Sequence, residues 1–420
     1  MQNHELRQQV VTEMHLRRWA TLSVPCVVVQ WVLVVDAGER AAETAALDLK
    51  ASAAEGPGNP PHRIGRLSER IAFTWERHSE GSSMTLFLEG AGKQEFLDPR
   101  SDPEFALAME WAESLPGRIV RATVILAVPT DAEADGLLPD IGFLRSELIS
   151  CHIGRGARIW ADFRLNLDGF GRTIFAANGV DPRDCTRLLQ RLQELGNYRN
   201  KALLGLPVVH EYWPRLNSAE EGLTALARRV ASADETDDAL MAELSDLSLE
   251  LMAISTSIGF RMSATAAYAR LVEERLEQLD SQPIESFASL ADFTQRRFLP
   301  AVRTCAALSE RERQLSLRAS QLSSLLRARI ETRIENQNAK LLRSMEHSTS
   351  MQLRLQQLVE GLSVVALTYY LIGLAGYVLK GAEHRWPGLD APMVLAALVL
   401  PVGLAVWLTI RMLKRRLLGH

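Results

Sequence analysis

Cysteine is scarce in this 420-residue chain. Cys26, Cys151, Cys185 and Cys305 lie far apart, with no C-x-x-C pair among them. Neither a disulfide framework nor a cysteine zinc site is suggested, and four scattered thiols suit a reducing compartment. A strong charge of either sign is also lacking. The formal net charge of −4 points to no nucleic-acid partner. No Ser-His-Asp arrangement or H-E-x-x-H run appears, and the turn glycines Gly154, Gly156, Gly169 and Gly171 match no phosphate-cradling loop. No enzyme activity and no cofactor is expected. Proline is absent from Ala301 to Leu379, and glycine is absent there until Gly361. Nothing in that stretch interrupts a helix, which at ~1.5 Å per residue would run roughly 120 Å.

What is present is organised around two uncharged runs. Gly361 to Leu379 (GLSVVALTYYLIGLAGYVL) and Ala391 to Ile410 are each about the length needed to cross a bilayer, and a short polar break separates them. They read as a transmembrane hairpin. Arg411, Lys414, Arg415 and Arg416 follow the second run, whereas the break offers Lys380 and Arg385 beside Glu383 and Asp390. The positive-inside rule then places the N- and C-termini in the cytoplasm. Val24 to Val35 (VPCVVVQWVLVV) is apolar too, but it starts at a proline, holds Gln30 and lacks a cleavage site, so it reads as a buried strand.

The first part of the chain alternates. A helix is expected over Asn3 to Arg18, and Ala41 to His62 reads as a weak connection. Strands are expected at Ile71–His78, Ser83–Leu88, Ile119–Val128, Leu148–Ile153, Ala157–Leu165 and Arg172–Ala177, with a helix from Pro103 to Leu115. Thr130 to Asp140 reads as an acidic loop. From Asp181 the chain turns helical, interrupted at Pro207 and Pro214. Asp237 to Leu279 continues the helical pattern, with Leu240, Leu244, Leu247, Leu251 and Ile254 at the three-and-four spacing that a long amphipathic hairpin or coiled-coil strand requires. The third helical stretch carries an apolar stripe through Leu315, Leu322, Leu326, Ile330, Ile334, Leu341 and Met345, which must pack along another helix or along copies of itself. The expected fold is α+β: a cytoplasmic mixed α/β domain over 1–180, a long-helix or coiled-coil stalk over 181–360, and the membrane hairpin (361–379 and 391–410) with its basic tail over 361–420.

Three sets of residues are candidate sites. Ser363, Ala366, Tyr370, Gly373 and Tyr377 share one face of the first span, with Gln352 and Gln356 before them. Small residues permit close helix packing there, while a ring of copies would turn the same face to a pore. Asp234, Glu235, Asp237 and Asp238 offer oxygens to a divalent cation, or equally mark a helix start. His15 with Arg17 and Arg18 is either an anion site or a solvated helix end.

Five segments carry a resemblance. They are EMHLRRWATLSVP (Glu13–Pro25), WADFRLNLDGFGR (Trp160–Arg172), YRNKALLGLP (Tyr198–Pro207), FRMSATAAY (Phe260–Tyr268) and LRLQQLVEGLSVVALTYYLIGLAGY (Leu353–Tyr377). Through them the chain resembles a bacterial family of membrane-anchored proteins defined by a domain of unknown function. The family tends to have His-Ala-Arg-Pro where this chain has His15-Leu16-Arg17-Arg18. In order of elements the chain is also similar to CorA-type magnesium transporters, whose outer loop carries Gly-Met-Asn; here Gly376-Tyr377-Val378-Leu379-Lys380-Gly381 stands in that place. The expectation is a homo-oligomeric protein of the bacterial inner membrane, a non-enzymatic anchor or scaffold. The alternative is a CorA-like divalent-cation channel gated by the cytoplasmic domain.

Overall fold

The computed structural model describes residues 3–7, 10–11, 19–48, 62–232, 236–383 and 391–417. The expected N-terminal helix falls largely outside these residues, as do His15, Arg17, Arg18, Asp234, Glu235, Arg385 and Asp390. The fold is α+β, and the chain divides into two compact units, Met1–Ser323 and Ser324–His420.

In the first unit nine strands form one sheet: β1 (Cys26–Val34), β2 (His62–Arg66), β3 (Ile71–His78), β4 (Gly81–Glu89), β5 (Arg118–Val128), β6 (Ile149–Ile153), β7 (Ala157–Ala161), β8 (Gly171–Ala176) and β9 (Gln282–Pro283). Their order is β2-β3-β4-β1-β5-β8-β7-β6-β9; among these strands β5 and β8 pair in parallel and the other neighbours pair antiparallel. Helices cover both faces. On one side lie α1 (Arg40–Asp48), α2 (Lys93–Leu97), α3 (Pro103–Glu113) and α4 (Asp131–Ile141), over a core of Trp31, Phe73, Trp75, Phe105 and Trp160. On the other, α5 (Pro182–Leu203) packs Leu188, Leu189, Leu192 and Leu195 onto Cys26, Val28, Ile125 and Phe175. Two covered faces explain why β1 is an almost unbroken apolar run: side chains on either side of the strand are buried.

Three helices follow: α6 (Gly205–Ser232), α7 (Asp237–Leu279) and the short α8 (Leu290–Phe293). A five-residue π-turn, Thr294–Phe298, then closes with the Leu299 N–H bonded to the Thr294 carbonyl. It arrives just before Pro300, whose missing N–H breaks the four-residue ladder in any case. Next comes α9 (Leu299–Glu383), unbroken for 85 residues, and then α10 (Ala391–Leu417).

Several expectations need correction. Residues 131–141 are a helix, not an acidic loop. Thr130 accepts a hydrogen bond from the Glu133 N–H and Gly142 ends the helix in the left-handed region, so the acids sit in a first turn where the helix dipole favours them. Pro207 and Pro214 do not interrupt α6. Pro207 lies in the first turn, where its N–H would have no partner. Pro214 and His210, four residues before it, are both exposed, so the carbonyl that loses its bond is left to water. Strand β7 stops at Ala161 rather than Leu165, because the Asp162 carboxylate accepts from the N–H groups of Arg164 and Leu144 and turns the chain. Strands β2 and β9 were not expected. Of the long-helix stripe, Leu315, Leu322 and Leu326 are buried, while Ile334, Leu341 and Met345 are exposed.

Candidate functional site

The least expected chemistry lies where the second half of α5 meets the sheet. Period-two alternation puts Gln30 of β1 on the same face as Cys26 and Val28. The register sets Gln30 opposite Thr85 of β4 and Thr123 of β5, and sets Thr85 opposite Thr74 of β3. A polar row thus crosses four strands inside the protein. The neighbouring row reads Glu76, Ser83, Val32 and Arg121. Gln30 donates to Thr85 Oγ1 at 2.9 Å, and Gln193 of α5, fully buried, donates to Thr123 Oγ1 at 3.0 Å. Buried polar groups persist only when they are paired in this way.

Three cations occupy the band. Arg121 Nη1 donates to Asn197 Oδ1 at 2.7 Å and to Gln30 Oε1 at 3.4 Å. Its guanidinium lies flat over Gly196: a Cβ there would stand 2.7 Å from Cζ and Nη2. Arg199 is only 6% exposed, with its guanidinium carbon 4.2 Å from the Phe163 ring centre and 5.2 Å from that of Phe293. Phe163 holds this position with φ of 53°, a left-handed conformation costly for a side chain of its size. Arg199 Nη1 is sealed from solvent without a hydrogen-bond partner. Neither arginine forms an ion pair with a described residue. Burial, reinforced by the charge of Arg199, lowers Arg121 to about 9, and burial alone lowers Arg199 to about 10, so both stay charged at neutral pH.

Lys201 is the third, 1% exposed, with Nζ 5.7 Å from the Tyr268 ring centre. Burial pushes it down to about 8, opposed by Glu80 and Glu76. Around it Tyr198 stacks on Tyr268, and Arg261 pairs with Glu80 at 2.9 Å. Sequence reading did not single out Arg121, Arg199 or Lys201. The available signals were a charge inside an apolar strand and the Y-R-N-K run on a helix whose preceding turns are leucine-rich.

In the second unit, α9 packs on α10 around Thr368 and Gly376. Thr368 lies 3.6 Å from where Gly403 would carry a Cβ, and Leu395 lies 3.4 Å from the same point on Gly376. Val364, Thr368, Ile372, Ala375, Gly376 and Leu379 are half-buried. Of the candidate face, Ser363 is half-buried, with its hydroxyl donating to the Val359 carbonyl at 2.8 Å. Ala366, Tyr370, Gly373 and Tyr377 are exposed, Tyr377 by 81%. Asp237 and Asp238 sit in the first turn of α7, and among the described residues no group of three or more His, Cys, Asp or Glu side chains is placed to hold a metal ion.

No curated protein and no solved structure matches the chain. The likeness to CorA-type transporters therefore rests on the order of elements alone. A family model described as protein of unknown function matches residues 2–417, nearly the whole length. The chain belongs to that family, DUF3422.

Proposed function

We propose that the protein is a non-enzymatic scaffold of the bacterial inner membrane, anchored by a hairpin of two spans, with both termini and the α+β unit in the cytoplasm. One observation carries this reading. Both apolar helices have windows of mean hydropathy near that of lipid-crossing segments, 1.9 and 2.4, and none of either window is buried against protein. Large apolar side chains such as Leu400, 83% exposed, would be costly in water and are at home in hydrocarbon. Reporter fusions test the topology: a fluorescent protein after residue 420 is expected to fluoresce, and alkaline phosphatase inserted at residue 385 is expected to be active. The reverse pattern would overturn the orientation, and release of the protein by alkaline carbonate would overturn the anchor.

Self-association is part of the same reading. Ile330, Ile334, Gln337, Leu341, Ser344, Ser348, Met351, Leu355, Leu358 and Leu362 alternate spacings of four and three along α9, the pattern of a coiled-coil seam. From Leu341 onward its apolar members are exposed. Copies anchored in one bilayer enter it in the same direction, so their seams meet in parallel and in register. All four native cysteines are buried, and the thiols of Cys26, Cys151 and Cys185 are pushed up to about 12, 11 and 11, which leaves them unreactive. A cysteine introduced as Leu355→Cys is therefore expected to crosslink copies in native membranes at several times the yield of Arg354→Cys, on the flank of the seam. Equal yields at the two positions would exclude the seam.

A further inference from the structure

Arg121 and Arg199 place two positive charges in the polar band beneath α5, and no described carboxylate answers either one. Leaving a buried charge unpaired costs several kcal/mol in proteins, and the charge of Arg199 acting on Arg121 aggravates the cost. Yet the surroundings are built to keep both guanidiniums in place. Asn197 and Gln30 hold Arg121, the missing side chain of Gly196 makes room for its flat head, and two phenylalanine rings clamp Arg199. Phe163 adopts a strained backbone to do so. Asp162, next along the chain, is turned away and spends its oxygens on the N–H groups of Leu144 and Arg164.

Arg199 Nη1 is the decisive atom: a charged donor, sealed from water, with nothing to bond to. Arg121 is half-buried, and its Nε and Nη2 make no hydrogen bond to a described residue, so the pair is closed at Arg199 and open at Arg121. Guanidinium forks match the oxygens of carboxylates and phosphates in pairs. A carboxylate would offset only one of the two charges, whereas a phosphate monoester or inorganic phosphate carries about one and a half to two at neutral pH.

We propose that Arg121 and Arg199 together bind a phosphate group, bridged between the sheet and α5. The site is independent of the scaffold reading and of the membrane topology. The phosphate could arrive free in solution or on a lipid headgroup, and the two sources are separated by experiment.

The full-length protein in detergent is titrated with inorganic phosphate against chloride at matched ionic strength, reading both heat of binding and melting temperature. In parallel it is reconstituted in nanodiscs of phosphatidylcholine with or without phosphatidic acid. Wild type is expected to show saturable binding in at least one arm, with a rise of roughly 5 °C or more near saturation. Response to inorganic phosphate assigns a free ligand, and response to phosphatidic acid alone assigns a headgroup. Arg199→Met, which removes the fork but keeps the length, is expected to weaken binding roughly ten- to a hundredfold. Without phosphate it should melt no lower than wild type, because a buried uncompensated charge has been removed. Arg199→Lys, which keeps the charge but loses the fork, should fall between them and serves if the methionine variant does not fold. Absence of binding in both arms, or an equal response in wild type and both variants, would overturn the proposal.

Discussion

Replacing Gly196 with leucine is expected to destabilise the first unit by about 3 kcal/mol, although glycine is a poor helix former. In the interior of α5 a larger residue would ordinarily gain up to ~1 kcal/mol from helix propensity. Here the new Cβ would stand 2.7 Å from the Arg121 guanidinium. That head is the end of a flexible side chain, but it is tethered to Asn197 and Gln30. Pushing it aside strands two buried acceptors, at about 1–3 kcal/mol each, which outweighs the propensity gain. Chemical unfolding followed by circular dichroism measures the loss. Arg121→Ala strands the same two acceptors, so adding Gly196→Leu to Arg121→Ala should cost little beyond Arg121→Ala alone. A full, additive loss in the double variant would place the clash elsewhere.

Stability should also depend on alkaline pH through Lys201. Burial holds its folded-state value at about 8, against an ordinary lysine value of 10.5. Below pH 8 the lysine is charged in both folded and unfolded chains, so the full desolvation cost is paid. Between pH 8 and 10.5 the folded chain gives up the proton before the unfolded one does, and stability rises with pH over that window. The shift corresponds to roughly 3 kcal/mol, good to within a factor of two. Lys201→Met is expected to be more stable than wild type by 1–3 kcal/mol at pH 7, and to lose the rise between pH 8 and 10. Urea unfolding at pH 7, 8, 9 and 10 decides it; a wild-type profile that stays flat or falls across that range would show that Glu76 and Glu80 already compensate the charge.

Much of the architecture was legible because burial was complete. Strand β5 is covered on both faces from Ala122 to Val128 and so announces itself as an apolar, β-branched run. The two apolar helices were legible because the runs Gly361 to Leu379 and Ala391 to Ile410 carry no charge over their whole length. The Thr130 to Asp140 segment misled because its four acids look solvated, although Thr130 followed three residues later by Glu133 is a helix-start signature. The polar band is a different case. Gln30 stood out within an apolar strand, but its meaning depends on which residues lie opposite it, and Thr85 and Thr123 are 55 and 93 positions away. Arg199 and Lys201 look like surface residues of an ordinary amphipathic helix. Only the packing of α5 onto Gln30, Thr123 and Arg121 shows that its polar side also points inward.

The outermost strands bear on how other proteins can engage this one. At one margin β9 is two residues long and ends in Pro283, which has no N–H to offer. At the other, β2 reads His-Arg-Ile-Gly-Arg, with a basic residue at each end. Neither margin offers a long, flat template for a foreign chain, so fibril-like stacking and peptide capture by strand addition are both disfavoured. A protein that docks on the sheet-bearing unit must therefore recognise side chains on helices and loops, and peptides designed to mimic a tenth strand should fail to compete with it.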